Sequence, residues 1–345
     1  MSGIAGEAQA APAAVDGNLI LLNMHRSVWR YAALMALVNL GVPEQLRSGP
    51  LTLTELADRC GAKAPPLARA LRAVAQSGLI GTAGTGGYEL TEAGRALLGG
   101  MHPLILRLDA DPEIWGALCE LTETIRTGEA PFVARNGDLY RYLGTRPGLS
   151  AAFDELMAAM HAPVAARLAQ HPAFANMRTV VDVGGGEGMF LTAILRANPG
   201  LRGVLLELER SVPAARKYRA ANGVGERCEV VAGDFFASVP AGGDAYLLEY
   251  VIHNWDDERA AAILRAVRAA AGEVGQVMLV EAILPDDDSP HPGKDLDIRL
   301  LALHEGTERS VAEYSALLGE AGLRAGPLTE LVPGTCLITA SPATP

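Results

Sequence analysis

The sequence predicts an α/β fold with a C-terminal doubly wound, Rossmann-like sheet and an N-terminal, mainly helical domain of winged-helix type. Beyond residue 178, runs rich in apolar and β-branched residues alternate with helical patterns, which is typical of a mostly parallel sheet covered by helices. Before that point nearly all patterns have helical spacing. Strands are predicted near residues 179–183, 203–207, 228–233, 244–250, 276–282 and 335–340.

Two helices and a hairpin follow one another in the N-terminal part. Thr52 and Glu55 have the spacing of a capping box, in which two side chains satisfy the free N–H groups at a helix start. Prolines precede the next helix, and a glycine-rich tip separates two short strand-like runs. The pattern predicts helices over residues 20–40, 56–60 and 66–77 and a hairpin over residues 79–90. This order is the outline of a winged helix.

The chain is predicted to divide into four segments. Residues 1–17 are rich in alanine and lack the basic start and the apolar core of a signal peptide, so we interpret them as a disordered tail. Residues 18–105 are predicted to form the winged-helix-like dimerisation domain, and residues 106–175 a helical linker that contributes to a substrate pocket. Residues 176–345 are predicted to form the sheet domain, in which Ser310 and Glu313 provide a second capping box.

The charge distribution argues against DNA as a partner. Winged helices often bind DNA, so a ligand-sensing DNA-binding regulator is a distant alternative. However, residues 1–100 contain eight Lys or Arg and seven Asp or Glu with no basic stripe, and the whole chain carries a formal charge of −11. The electrostatic footprint of nucleic-acid binding is therefore missing. The apolar first helix instead favours a homodimer, because such a surface needs another protein surface to cover it.

Cysteine usage and hydropathy indicate a cytoplasmic protein with no membrane partner. The four cysteines are scattered without a closely spaced pair, which indicates neither a zinc ribbon nor a disulfide framework. The most apolar stretch, residues 31–42, is too short to cross a bilayer.

A glycine-rich loop directly after the first sheet strand predicts a cofactor site. Glycines at Gly184, Gly186 and Gly188 permit a tight strand-to-helix turn and close approach of a ligand to the backbone. A phosphate would favour the positive end of the following helix. Asp182 and Glu187 would repel a phosphate, whereas they suit a cation. S-adenosylmethionine is a common cofactor that carries positive charge and no phosphate, so the loop predicts this cofactor.

Acidic residues at the ends of the next two strands support the same cofactor. Glu207 lies about 20 residues beyond the loop, where related folds place a carboxylate on the ribose hydroxyls. Asp234 ends the third predicted strand and is a candidate acceptor for the adenine amino group. Phe235 or Phe236, which follow it, offer an aromatic face to the adenine ring.

The predicted chemistry centres on His253, which follows the fourth strand. A histidine can remove a proton near neutral pH because its ordinary pKa is about 6.5. Glu281 and Glu308 are each candidates to hold the imidazole through its other nitrogen. For Glu308 the alternative is a solvated ion pair with Arg309.

Five motifs carry a family resemblance. They are Asp-Val-Gly-Gly-Gly-Glu-Gly at 182–188, Gly-Asp-Phe-Phe at 233–236, His-Asn-Trp-Asp-Asp-Glu at 253–258, Val-Glu-Ala-Ile-Leu-Pro at 280–285 and Gly-Thr-Glu-Arg-Ser at 306–310. With the winged-helix outline before them, they resemble the bacterial branch of the caffeate-type small-molecule O-methyltransferases. The resemblance covers roughly residues 20 to 340.

The resemblance implies a homodimeric, S-adenosylmethionine-dependent methyltransferase of small molecules in secondary metabolism. It implies His253 as the base that deprotonates a phenolic or enolic hydroxyl, with Glu281 and Glu308 flanking it. It also implies that a pocket for substrate and methyl donor includes Trp115, Phe153 and Met157. We add Asn254, next to the histidine, as a candidate substrate residue.

Departures from the family pattern leave a second chemistry open. This chain has Glu249 where many relatives have Lys, Arg or Ser, and we expect it to border the cofactor. His304 precedes Glu305-Gly306, where relatives have paired glycines, in a loop expected to approach His253. His253 and His304 are therefore candidate ligands for a divalent metal ion. The alternative function is metal-assisted C-methylation of an α-keto acid, with Arg126 holding the carboxylate.

Overall fold

The computed structural model describes residues 16–84 and 86–343 as two compact units that divide between Ala110 and Asp111. Residues 1–15 of the predicted tail lie outside the described residues, whereas Asp16 caps the first helix and Gly17 begins it. The predicted linker, residues 106–175, is split by the unit boundary. Its first residues end a helix of the first unit, and its remaining helices belong to the second unit.

The first unit contains the predicted helices and hairpin. Thr52 forms the predicted capping box with Glu55, because each side chain accepts a hydrogen bond from the other residue's backbone N–H. The strands of the hairpin pair antiparallel, with Ile80 opposite Leu90. The elements are α1 (Gly17–Asn39), α2 (Val42–Gln45), α3 (Leu53–Arg59), α4 (Ala64–Ala75), β1 (Ile80–Thr82), β2 (Tyr88–Leu90) and α5 (Met101–Asp109).

Helix α1 has a buried end and an exposed apolar end. Met35, Leu37 and Val38 near its C-terminus are buried, and α1 packs on α4 and α5. Its first half exposes many large apolar side chains, which is unusual for a surface that only solvent covers. They are Leu19, Ile20, Leu21, Leu22, Met24, Val28 and Trp29.

The second unit begins with five helices and continues as a sheet domain. The helices are α6 (Pro112–Cys119), α7 (Leu121–Thr127), α8 (Pro131–Asn136), α9 (Leu139–Gly144) and α10 (Pro147–Leu168). The later helices are α11 (Met189–Ala197), α12 (Val212–Ala221), α13 (Asp257–Ala271), α14 (Pro292–Leu303) and α15 (Val311–Glu320). Ser310 and Glu313 form the second predicted capping box at the start of α15.

Eight strands form the sheet, which confirms the predicted fold class. They are β3 (Thr179–Val183), β4 (Arg202–Glu207), β5 (Cys228–Ala232), β6 (Ala245–Glu249), β7 (Gln276–Leu284), β8 (Arg309–Ser310), β9 (Leu323–Val332) and β10 (Thr335–Pro342). Their order is β5-β4-β3-β6-β7-β10-β9, with β8 beside β7. Strands β3 to β7 are parallel, and β10 pairs antiparallel with both β7 and β9.

The strand order places a ligand site between β3 and β6. The chain runs outward from β3 to β5 and then returns to add β6 on the other side of β3. Open α/β sheets bind ligands at the carboxyl ends of the strands at such a reversal of order. Buried apolar clusters cover both faces of the sheet and hold these strand ends in place.

Candidate active site

The glycine loop has the conformation that its sequence predicts. Gly184, Gly186 and Gly188 have φ angles of 76°, 59° and 84°, a left-handed region that residues with a side chain rarely adopt. Gly185 is required for another reason, since a Cβ there would collide with the carboxylate of Asp182. The loop therefore presents bare backbone between β3 and α11, with Asp182 directly behind it.

Glu207, at the end of β4, reaches across to this loop. Its Oε2 accepts a hydrogen bond from Gly186 N–H at 3.0 Å, and its Oε1 accepts one from Leu208 N–H at 2.8 Å. The carboxylate is thus oriented at the loop edge, as required of a residue that is to hold ribose hydroxyls.

Asp182 and Glu249 place two carboxyl groups at the neighbouring ends of β3 and β6. Both residues are buried, and each carboxyl lies close enough to act on the pKa of the other. Burial and, to a smaller extent, the negative charge of Glu207 raise the pKa of Asp182 to about 7. Burial, followed by the charge of Asp182, raises the pKa of Glu249 well above its usual range. Both shifts favour retention of a proton by the pair.

Phe235 lies against the glycine loop, where a Cβ on Gly184 would be 3.2 Å from its ring. Its ring packs edge to face against Trp255, with centroids 6.1 Å apart. Asp234 is exposed and accepts a hydrogen bond from Phe236 N–H at 2.9 Å. Of the two phenylalanines, Phe235 is therefore the one in contact with the loop, and Asp234 borders the same edge.

His253 lies just after β6, in a short helical turn, and two buried glutamates face its ring. Nδ1 of His253 is 2.9 Å from Oε1 of Glu308 and 3.8 Å from Oε2 of Glu281. Burial alone would lower the pKa of His253, but the charges of Glu281 and Glu308 together raise it above its ordinary value. Burial also raises the pKa of Glu281 to about 7, against the opposing charge of His253.

The tautomer of His253 follows from these contacts. Glu308 accepts the proton of Nδ1, and Nε2 has no hydrogen-bond partner among residues 16–84 and 86–343. Nε2 is therefore the nitrogen that can accept a proton.

Arg309, the residue after Glu308, holds the backbone of this segment in place. The guanidinium is almost fully buried and donates to Asp257 at 2.7 Å and to the carbonyl of Trp255 at 2.8 Å. The alternative of a solvated ion pair between Glu308 and Arg309 is thus wrong, because Arg309 pairs with Asp257 and Glu308 with His253. Asp297 completes the support by accepting from Glu308 N–H at 2.7 Å.

The loop after α14 approaches the histidine as predicted. Gly306 packs so closely on the backbone of His253 and Asn254 that no side chain would fit there. His304 ends α14, and its ring meets Tyr140 edge to face at 6.1 Å. Burial and the nearby positive charge of His253 lower the pKa of His304 to about 4. His304 is therefore neutral at pH 7.

Tyr140 also contacts an aromatic residue of α10, in addition to His304. Phe153 meets the other side of Tyr140, with centroids 5.9 Å apart, and Met157 lies one turn further along α10. Trp115 lies on α6, which packs against α14. Asn254 donates from Nδ2 to the carbonyl of Tyr250 at 2.8 Å, so its amide N–H group is engaged in shaping the histidine turn.

Arg126 does not join this group. It forms an exposed ion pair with Glu123, one turn earlier on the same helix α7. A surface pair of this kind leaves no reason to assign Arg126 to a buried substrate carboxylate.

Sequence reasoning missed His161 and Tyr250. The His161 ring on α10 stacks on Tyr250 with centroids 4.2 Å apart and an interplanar angle of 8°. Burial and the charge of His253 lower the pKa of His161 to about 4. Tyr250 is the one non-glycine residue with a positive φ, 51°, in the part of the chain that the structure describes. His161 lies four residues after Met157, so helical spacing from that predicted pocket residue was the available signal.

The structure does not assemble the predicted metal site on His253 and His304. Among the described residues, the one cluster of at least three close potential ligands is His253, Glu281 and Glu308, without His304. In that cluster His253 and Glu308 hydrogen-bond directly, which occupies the space that an ion between them would need. The donor set therefore fits a hydrogen-bonded triad better than a metal centre.

Comparison with known proteins decides the family. Residues 118–324 match the model of the O-methyltransferase domain, and residues 22–100 match that of the O-methyltransferase dimerisation domain. The chain belongs to the O-methyltransferase family. It is 35% identical to the phenazine O-methyltransferase PhzM of Lysobacter antibioticus, over 95% of this chain and 97% of that protein. These matches confirm the resemblance read from the motifs.

Solved structures of the family share the whole architecture. The mitomycin 7-O-methyltransferase MmcR superposes with a TM-score of 0.87 at 32% identity, covering 94% of this chain and 98% of that one. The methyltransferase NcsB1, with S-adenosylmethionine and 2-hydroxy-5-methyl naphthoic acid bound, superposes with a TM-score of 0.79 at 34% identity. That match covers 90% of this chain and 95% of NcsB1.

The chain is an S-adenosylmethionine-dependent methyltransferase, and its dimerisation domain makes it a homodimer. The residues at the switch point fit this cofactor. The two orphaned, buried carboxyls of Asp182 and Glu249 suit a cationic ligand, and the bare glycine loop leaves room for its approach. None of the described helices is long and apolar enough to cross a membrane.

Proposed function

We propose that this methyltransferase transfers a methyl group to a phenolic or enolic hydroxyl of a small aromatic secondary metabolite, with His253 as the general base. The observation that carries the proposal is the hydrogen bond of 2.9 Å between Nδ1 of His253 and Glu308, which leaves Nε2 available as acceptor. A base with a raised pKa is better matched to a weakly acidic hydroxyl.

In this mechanism S-adenosylmethionine supplies an electrophilic methyl group when bound. His253 accepts the hydroxyl proton at Nε2, and Glu308 and Glu281 stabilise the imidazolium that results. The side chains of Tyr140, Phe153 and Met157 hold the acceptor in line, and alignment of this kind accounts for much of the rate. Asp182, Glu207 and Phe235 hold the cofactor at the strand ends.

The proposed substrate class rests on the side chains of Tyr140, Phe153 and His304, of which Tyr140 contacts the other two. Aromatic and apolar side chains favour a flat apolar ring, and the neutral His304 can give or accept one hydrogen bond at its edge. The relatives' names support the same class, since they include a phenazine and a naphthoic acid. Metal-assisted C-methylation is not favoured, because His304 lies outside the ligand cluster and Arg126 pairs with Glu123.

We also propose a cytoplasmic location. The four cysteines are free, which suits a reducing compartment.

The test is methyl transfer from isotopically labelled S-adenosylmethionine to a panel of hydroxylated naphthoic acids, phenazines and α-keto acids. We expect label on the oxygen of an aromatic hydroxyl, with no effect of chelators and no turnover by His253→Ala. Label on carbon of an α-keto acid, lost after chelation, would contradict the proposal.

A further inference from the structure

A second pair of acids, Asp182 and Glu249, lies apart from the catalytic histidine, at the ends of β3 and β6. The two strands are adjacent and parallel, and Asp182 lies opposite Leu247. Glu249 is therefore two residues further toward the carboxyl end of β6. This is the point of the sheet where the strand order reverses and where a ligand is expected.

Asp182 and Glu249 have no cationic partner among residues 16–84 and 86–343. The side-chain oxygens of Asp182 and Glu249 are all buried, and none receives a hydrogen bond from an N–H or hydroxyl donor among the described residues. Buried carboxyls elsewhere in the same domain do have such partners: Glu281 accepts from Ile252 N–H at 2.9 Å, and Glu308 bonds His253. A buried carboxylate without a partner is destabilising, so a ligand that supplies positive charge would relieve it.

The glycine loop lies directly against this pair. The Asp182 carboxylate presses against Gly185, where any side chain would collide with it. Glu207 approaches the same loop from the other side through Gly186 N–H. The loop therefore lies between three acids, two of which are screened from water.

We propose that Asp182 and Glu249 act together as one buried negative charge that selects the cationic methyl donor over the product, whose sulfur is uncharged. The inference rests on the proposed function, because it concerns the cofactor of that same site. S-adenosylmethionine and S-adenosylhomocysteine differ by the methyl group and by the positive charge at sulfur. A buried charge within about 10 Å at an effective dielectric constant near 20 favours the cation by about tenfold. The pair thereby promotes release of product after each turnover.

A structural role for the pair makes a different prediction. If the contact between the two carboxyls serves only to join the ends of β3 and β6, its loss loosens the loop for every ligand. Donor and product would then lose affinity by the same factor. The ratio of the two dissociation constants therefore separates a selective charge from a structural link.

The experiment is calorimetric titration of the full-length dimer with S-adenosylmethionine and, separately, S-adenosylhomocysteine, with no methyl acceptor present. Glu249→Gln and Asp182→Asn each leave one carboxyl that can ionise, so we expect the ratio to stay within about twofold of wild type. The double amide variant and Glu249→Lys, whose ammonium would neutralise Asp182, remove the net charge. For both we expect the preference for the donor to fall about tenfold, with product affinity changed far less.

The matched control is Glu209→Gln, which removes an exposed carboxylate just beyond the end of β4. Solvent screens that charge, so the ratio should change less than twofold. If Glu249→Lys does not fold, the double amide variant carries the test, because it preserves size and hydrogen bonding.

Equal weakening of donor and product in the double amide variant would overturn the inference while leaving the proposed function intact. An unchanged ratio would overturn it as well. Failure of the wild-type protein to bind either ligand would instead contradict the assignment of the cofactor site.

Discussion

Two pairs of buried acids lie at the same edge of the sheet and differ in their partners. Glu281 and Glu308 face the ring of His253; the Glu281 carboxylate also accepts from Ile252 N–H, and the backbone N–H of Glu308 donates to Asp297. Asp182 and Glu249 face only each other. Each acid of the first pair has at least one hydrogen-bond partner within the folded chain, and the pair raises the pKa of a base. The second pair is incomplete without a ligand, which is why it marks the cofactor side of the site.

The largest expected effect is the loss of His253, which Glu281 and Glu308 flank. Replacing His253 by alanine removes the base, and loss of a general base typically lowers the rate by about 10² to 10⁴. Single-turnover rates of His253→Ala should show this loss, while calorimetric affinity for S-adenosylhomocysteine stays near wild type. A rate within a few fold of wild type would show that the hydroxyl loses its proton by another route.

The next effect concerns the cofactor side. Glu207→Ala removes a carboxylate placed at the loop edge, and we expect cofactor binding to weaken by about 1 to 3 kcal/mol, the range for a hydrogen bond to a charged group. Titration with S-adenosylhomocysteine measures it. Glu209→Ala, two residues along and exposed, is the control. The assignment of Glu207 fails if both variants bind as wild type does.

The Asp182–Glu249 pair also predicts how the free energy of unfolding depends on pH. Burial raises the pKa of Asp182 to about 7 and that of Glu249 well above its ordinary value, whereas both ionise near pH 4 in the unfolded chain. Folding therefore takes up protons between these values, so this pair lowers stability progressively as pH rises from about 4 through 7. His161 and His304, with lowered pKa values, act in the opposite sense below pH 6.5.

The contribution of the pair is isolated by a difference measurement. Thermal unfolding of wild type and of the Asp182→Asn, Glu249→Gln double variant should be followed without cofactor between pH 5 and 8. The variant should gain stability relative to wild type as pH rises. A constant difference across this range would mean that the pair keeps its ordinary pKa values.

The smallest effect belongs to Arg126. Its exposed pair with Glu123 is worth little, so Arg126→Ala should change the kinetic constants less than about twofold. A large rise in KM would restore the prediction that Arg126 holds a substrate carboxylate.

The sequence was sufficient for the fold and for the residues that follow strands. Strand-end positions such as Asp182, Glu207 and His253 were predictable because local patterns place them at one edge of a parallel sheet. Strand β9 was missed because Gly326 and Pro327 interrupt its pattern and its residues are largely exposed. Some contacts between distant elements were also out of reach.

Those contacts depend on tertiary packing. The stacking of His161 on Tyr250 joins α10 to the end of β6, and no local pattern reports it. Equally, the choice of Glu308 between His253 and Arg309 was undecided in the sequence. It is settled by Asp257, which pairs with Arg309 from the start of α13.

The central claim is that Glu308 holds His253 as a base of raised pKa, and the pH dependence of single-turnover methyl transfer tests it most directly. His253 must be neutral to act, so the rate should rise as pH passes its pKa. Glu308→Gln removes one of the charges that raise this pKa, so the rising limb should move to lower pH while the maximal rate falls about ten- to 100-fold. A rising limb at the same pH in wild type and Glu308→Gln would contradict the account.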